Sequence, residues 1–253
     1  MRSDARPQDR PAAEPPGGPT APDAGPPDRF RRAGRIAGVL YLVTFVSMPT
    51  LALFERVDGG DFVLGAGAEG GALIGAFSEV VVALAGIGTA VVLYPVARRQ
   101  NETAALGFVT SRVVEGSLII VGVVSVLTMI TLRRDGLPAA DPAATGAVGL
   151  ALGAAYDWTF LLSQSLMPVF NAVCLGTVLY RSGLVPRMLP VVGLIGAPLL
   201  LMSDIAIFFG VYDRMAPVAA LAALPIAAWE LSLGVYLTIR GFRPVALAAL
   251  VAR

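Results

Sequence analysis

Long apolar runs separated by short polar segments organise this chain. An α-helix needs roughly 20 apolar residues to cross a hydrocarbon core about 30 Å thick. Hydrocarbon offers backbone groups no hydrogen-bond partners, so open-ended spans must be helical. The pattern therefore predicts an all-α integral membrane bundle of six transmembrane helices, within residues 29–244. The predicted spans are residues 36–54, 72–97, 113–132, 158–180, 188–209 and 216–239.

Three segments outside these runs need separate interpretation. Residues 1–28 hold eight of the 19 prolines and almost no large apolar residue, which predicts a disordered tail. This tail lacks the apolar core of a signal peptide, so we expect it to stay attached. Residues 245–253 form a short C-terminal tail. Residues 141–155 begin with Asp141 and Pro142, which favour a helix start. That run either lies along the membrane interface, which we favour, or extends the fourth helix.

Composition narrows the class of protein. The chain is 56% hydrophobic and 15% charged, whereas a soluble domain keeps about 25% charged residues. It has no His and one Cys, which excludes a Cys/His zinc site and any Ser-His or Cys-His relay. The net charge of +1 argues against a nucleic-acid partner. We expect no metal or cofactor, and the lipid bilayer is the partner that the composition indicates.

Arginine predicts the orientation of the helices. Among residues 29–253, placing the amino terminus in the cytoplasm puts twelve arginines in inner segments and four in outer loops. Both termini are then cytoplasmic in a multi-pass protein of the cell membrane. The absence of Lys, together with abundant Ala, Gly and Pro, is typical of a bacterial genome rich in G and C.

Four polar residues are predicted to share one inner layer. A rise of about 1.5 Å per residue places Glu230 roughly 21 Å below the outer end of the sixth helix. The same rise places Asn171 about 20 Å from the outer end of the fourth helix. Arg112 lies at the inner mouth of the third helix, and Glu115 shares its helical face three residues later, so the two can pair. Arg112 can also extend towards the headgroups.

A second, outer layer contains four more candidates: Glu79, Asp157, Gln164 and Asp204. We interpret Asp157 as the N-cap of the fourth helix, because capping is a common role of Asp. Buried charged residues face the bundle interior, find a partner or become neutral. Glu79, Asp204 and Glu230 have no cation at a suitable depth in their own helices, so we expect them to be neutral. A purely structural role, joining neighbouring helices, stands beside a functional one.

Several sequence runs resemble a known family. They include "SRVVEG" (111–116), "YRSGLVPR" (180–187), "GLIGAPLLL" (193–201) and "WELSLGVYLTIRGFRP" (229–244). On these, the chain resembles the domain-of-unknown-function 4386 family over about residues 35–244. The resemblance implies a bacterial multi-pass membrane protein with a helical bundle, and it brings no substrate, cofactor or catalytic residues. Many relatives carry His where this chain has Tyr156.

Three functional hypotheses follow. The leading one is a non-enzymatic membrane protein that binds or passes a small ligand, or acts as a scaffold for a membrane partner. The second is a proton-coupled carrier of small molecules, with Glu79 and Glu230 as protonatable sites on opposite sides of the midplane. The third is an intramembrane hydrolase, for which Asp157 and Asp204 are the paired aspartates at similar depth.

Overall fold

The fold consists of helices throughout the part of the chain that the structure, a computed structural model, describes: residues 26–47, 59–135 and 141–252. No strand occurs in those ranges. A π-helical segment, Leu161–Leu166, joins α5 to α6. The helices are α1 (Pro26–Ser47), α2 (Gly59–Val63), α3 (Glu69–Gln100), α4 (Glu102–Arg134), α5 (Pro142–Phe160), α6 (Met167–Ser182), α7 (Met188–Phe208), α8 (Pro217–Ile239) and α9 (Pro244–Val251).

Five of the predicted spans are confirmed as helices long and apolar enough to cross a membrane. They are α3, α4, the continuous Pro142–Ser182 unit, α7 and α8. The first predicted span, residues 36–54, is described only as far as Ser47, and its remainder lies outside the described residues. Large apolar side chains cover the outside of the bundle, including Phe77 at 71% and Met202 at 67% exposure. Together these features indicate a multi-pass membrane protein.

The favoured prediction of an interfacial helix at 141–155 is wrong. Those residues form α5, which runs through the π-helical segment into α6 as one unit of 41 residues. The Asp141 side chain caps α5 by accepting a hydrogen bond from the Ala144 N–H at 3.0 Å. The small residues let α2 approach closely, since a Cβ at Gly149 would lie 2.4 Å from the Gly59 carbonyl oxygen. Tertiary packing against α2 and α4 therefore holds this segment in the bundle as an extension of the fourth predicted span.

The predicted start of the third span, at residue 113, is also corrected. Asn101 alone separates α3 from α4, and its side chain accepts a hydrogen bond from the Ala104 N–H at 3.1 Å. This cap starts α4 at Glu102, so Arg112 lies ten residues inside the helix rather than at its mouth. It is 5% exposed, and its guanidinium pairs with Glu115 and Glu230 inside the bundle.

Six helical units close into a ring. In order around it, α1 packs on α3, α3 on α4, α4 on α6, α6 on α7, α7 on α8, and α8 returns to α1. Gly183, with a φ of 66°, ends α6 in the left-handed conformation that glycine adopts without cost. The predicted disordered tail, residues 1–28, lies mostly outside the described residues, and its last three residues belong to α1. Within the predicted C-terminal tail, α9 packs on α1 and α3.

The ring closes through a near contact of two backbones. A Cβ added at Gly38 in α1 would lie 2.4 Å from the Thr238 nitrogen and 2.9 Å from the Gly234 carbonyl oxygen in α8. These are backbone atoms, so a side chain at Gly38 has to push the helices apart. Small residues at such crossings are typical of membrane helices.

Gly38→Ala is therefore expected to destabilise the bundle by about 1 to 3 kcal/mol, the usual cost of overpacking. The measurement is the free energy of unfolding in detergent micelles. Gly70→Ala is the matched control, because it adds the same methyl group to a helix at a place where no atom beyond the local backbone of that helix lies within 4 Å. Equal stability of the two variants would contradict the close α1–α8 crossing.

Candidate functional site

A buried arginine joins two helices at the centre of the bundle. Arg112 Nη2 donates a hydrogen bond to Glu230 Oε1 at 2.7 Å, which links α4 to α8. Its Nη1 donates to both carboxylate oxygens of Glu115, each at 3.1 Å. Arg112, Glu115 and Glu230 are only 5, 7 and 8% exposed. Three ionisable side chains therefore meet inside an apolar bundle, and Glu230 has the cationic partner that its own helix does not supply.

Asn171 brings α6 into the same network. Its Nδ2 donates to Glu115 Oε2 at 2.7 Å, and the Ser111 hydroxyl donates to its Oδ1. The structure thus brings together all four residues predicted for the inner layer. Ser111 was missed in the sequence, where a serine one residue before Arg112 gives no sign of which helix it faces.

Aromatic side chains enclose the guanidinium. The ring centroids of Tyr41 and Phe108 lie 5.3 Å and 5.7 Å from Arg112 Cζ, within the range of cation–π attraction. Tyr41 adds α1 to the site. Next to Glu230, Trp229 is fully buried against Gly193, where a Cβ would lie 2.5 Å from the indole. We call these residues the central cluster: Tyr41, Phe108, Ser111, Arg112, Glu115, Asn171, Trp229 and Glu230.

The central cluster contains unequal numbers of acidic and basic groups. Two carboxylates, Glu115 and Glu230, share the single guanidinium of Arg112. With all three ionised, one negative charge is left over in a site from which water is largely excluded. Burying an unbalanced charge is costly, so such a site takes up a proton or another cation.

Glu79 anchors a second polar site between α3 and the Pro142–Ser182 unit. Its Oε1 accepts hydrogen bonds from the Tyr156 hydroxyl at 2.6 Å and from Gln164 Nε2 at 3.2 Å. The side chain is 1% exposed. Its other oxygen, Oε2, is buried without a hydrogen-bond partner among the residues that the structure describes. Tyr156, which sequence analysis did not select, is thus the closest partner of this acid.

The π-helical segment donates hydrogen bonds to two carboxylates on different helices. Ser165, next to Gln164, donates to Asp204 Oδ1 at 2.5 Å and so reaches α7, while Gln164 reaches α3. Asp204 Oδ2 is buried with no hydrogen-bond partner in the described part of the chain. A π-helical turn is wider than an α-helical one and is frequent at functional sites. Asn171 follows Ser165 by six residues, so the two polar levels are about 9 Å apart along the helix axis.

Asp157 does not have its predicted role as an N-cap. It lies inside α5 and accepts a hydrogen bond from Arg214 Nη2 at 2.7 Å. Its side chain is 60% exposed, so this ion pair lies at the surface of the bundle. The four residues predicted for the outer layer are thus found in three pairings: Glu79 with Gln164, Asp204 with Ser165, and Asp157 with Arg214.

Comparison with known families adds one result. The model of the family DUF4386, described as a domain of unknown function, matches residues 36–241. The chain belongs to the DUF4386 family. The DUF4386 domain contains every residue of the central cluster and of the three outer pairings, whereas α9 follows it. Neither a curated protein nor a solved structure matches the chain.

Because the central cluster has two acids and one base, neutralising the base is expected to lower stability more than neutralising one acid. Arg112→Met leaves two buried carboxylates without a cation and is expected to cost about 3 to 5 kcal/mol of stability. Glu230→Gln leaves one acid for one base and keeps a hydrogen-bond acceptor, so its expected cost is about 1 kcal/mol. Chemical unfolding in detergent measures both. A Glu230→Gln variant as unstable as Arg112→Met would contradict the surplus of negative charge.

Proposed function

We propose that this chain is a non-enzymatic multi-pass protein of the bacterial cell membrane whose central cluster binds a small cationic ligand. The observation that carries the proposal is that Glu115 and Glu230 share one guanidinium. The surplus carboxylate makes the ligand a cation. The burial of all three side chains favours the smallest cation, a proton.

The surroundings of the two acids support a single bound proton. Arg112 from α4 and Asn171 from α6 bond them, and Tyr41 from α1 lies over the Arg112 guanidinium. Of these, Arg112 is the one cation, and its charge balances one carboxylate only. The second carboxylate becomes neutral by taking up a proton, since a charge at a helix centre costs on the order of 3 kcal/mol even on mild insertion scales.

The proposal includes a topology of six spans with both termini in the cytoplasm. The arginine bias between inner and outer segments supports this orientation. The apolar run that begins in α1 continues in the sequence to Phe54, which supports α1 as the first span. A tag accessible only from outside at either terminus would contradict the orientation.

Infrared spectroscopy of the full chain in lipid nanodiscs tests the bound proton. At neutral pH the wild-type protein is expected to show a carboxylic-acid C=O component that both Glu115→Gln and Glu230→Gln remove, seen as a band in the wild-type-minus-variant difference spectrum. Either substitution leaves one acid for one base, so the remaining carboxylate has no reason to hold the proton. Glu102→Gln, on the exposed first turn of α4, is the matched control and is expected to keep this component.

Identical spectra for the wild type and the two cluster variants would mean that no proton is held there. The central cluster would then join helices without binding a ligand, and the scaffold role would replace ligand binding. The paired-aspartate hydrolase is not proposed, because Asp157 bonds Arg214 and Asp204 bonds Ser165.

A proton-coupled carrier is the second candidate, and the outer polar level favours it. Glu79 and Asp204 each keep one buried oxygen without a partner among the described residues, so each has a position for a proton. Together with the central cluster they would provide protonatable sites at two depths.

A carrier of this kind predicts that a pH gradient alone moves protons or a co-transported solute across reconstituted vesicles. Proton flux, read with an entrapped pH-sensitive dye, is expected to fall in Glu79→Gln and Glu230→Gln but not in Glu102→Gln. Flux equal to that of protein-free vesicles would contradict the carrier and leave the bound proton of the central cluster intact.

A further inference from the structure

A groove between α1 and α3 combines a basic end with an apolar wall. It has a volume of about 570 Å³. Arg29 and Arg32 line one end, while Ile36, Val91 and Pro95 line the rest. Neither the proposed proton site nor the fold requires this combination, because both arginines lie outside the hydrogen bonds of the central cluster.

The two arginines present their charges to one place. They are three residues apart on α1, so they share a helical face, and both are exposed. Guanidinium groups bind phosphate oxygens in a bidentate geometry, which makes an arginine pair a favourable partner for a phosphodiester. The neighbouring cavity, lined by Arg31, Arg32 and Arg35, also contains Asp28, whose carboxylate offsets part of the positive charge there.

The apolar wall continues on the outside of the bundle. Ile36 and Val91 are 50% and 59% exposed, so they face the membrane rather than the core. Ile36 follows Arg29 by seven residues, which puts it about 10 Å further along α1. A molecule that fills the groove therefore needs an anionic group at one end and a hydrocarbon chain beyond it.

We propose that this groove binds one anionic phospholipid, with its phosphate between Arg29 and Arg32 and an acyl chain along Ile36 and Val91. A soluble phosphate would use the arginines but leave the apolar wall without a partner. A general attraction of basic residues to an anionic leaflet would involve all exposed inner arginines alike. Binding in the groove instead requires only Arg29 and Arg32.

Native mass spectrometry of the full chain in detergent, titrated with phosphatidylglycerol or phosphatidylcholine, tests the proposal. The wild type is expected to retain one phosphatidylglycerol in preference to phosphatidylcholine. Arg29→Gln/Arg32→Gln is expected to weaken this binding about tenfold or more. Val91→Trp places a bulky ring in the apolar part of the groove without altering charge, and it is expected to weaken phosphatidylglycerol binding as well. Arg181→Gln/Arg240→Gln removes the same charge from exposed positions outside the groove and is expected to bind like the wild type.

Two results would overturn the proposal. An equal loss in both double-arginine variants would show a general electrostatic attraction. Full affinity in Val91→Trp would show that the lipid does not enter the groove. Neither result bears on the proton of the central cluster, which involves none of these residues.

Discussion

The bundle depends on one guanidinium that is buried almost completely among its helices. Arg112 holds Glu115 on its own helix and Glu230 on α8, while Asn171 ties Glu115 to α6 and Tyr41 closes over the charge from α1. An uncompensated charge at this place would cost several kcal/mol. The positions of four helices are therefore coupled to the satisfaction of a single side chain.

The fold makes this arrangement possible through close backbone approach. Small residues at Gly38 and Gly193 let α8 lie tightly against α1 and α7, which brings Trp229 and Glu230 to the centre. The π-helical segment then turns the adjacent residues Gln164 and Ser165 towards two different helices. Apolar packing alone would leave helices free to slide or rotate against one another in lipid, and the polar contacts at two levels specify one arrangement.

Much of this could be predicted from the sequence. The lengths of the apolar runs predicted five of the spans correctly. The rise per residue, combined with alternating helix direction, predicted that Arg112, Glu115, Asn171 and Glu230 lie at one level. The predictions that were wrong depended on caps and tertiary contacts, which a hydropathy pattern does not reveal. The polar stretch after Asn101 is helical because of its cap, residues 141–155 extend the fourth predicted span because α2 packs on their glycines, and Asp157 bonds an arginine from a distant loop. Tyr41 and Tyr156 were not selected, since a tyrosine in an apolar run gives no sign of its partner.

A double-mutant cycle between Arg112 and Glu230 tests most directly whether this buried pair holds the bundle together. Stability is measured for the wild type, Arg112→Met, Glu230→Gln and the double variant under the same conditions. The two losses are predicted to be non-additive, with a coupling of about 1 kcal/mol or more, because removing the acid relieves part of the charge left by removing the base. Additive losses would contradict the claim that the two side chains act as a unit across α4 and α8.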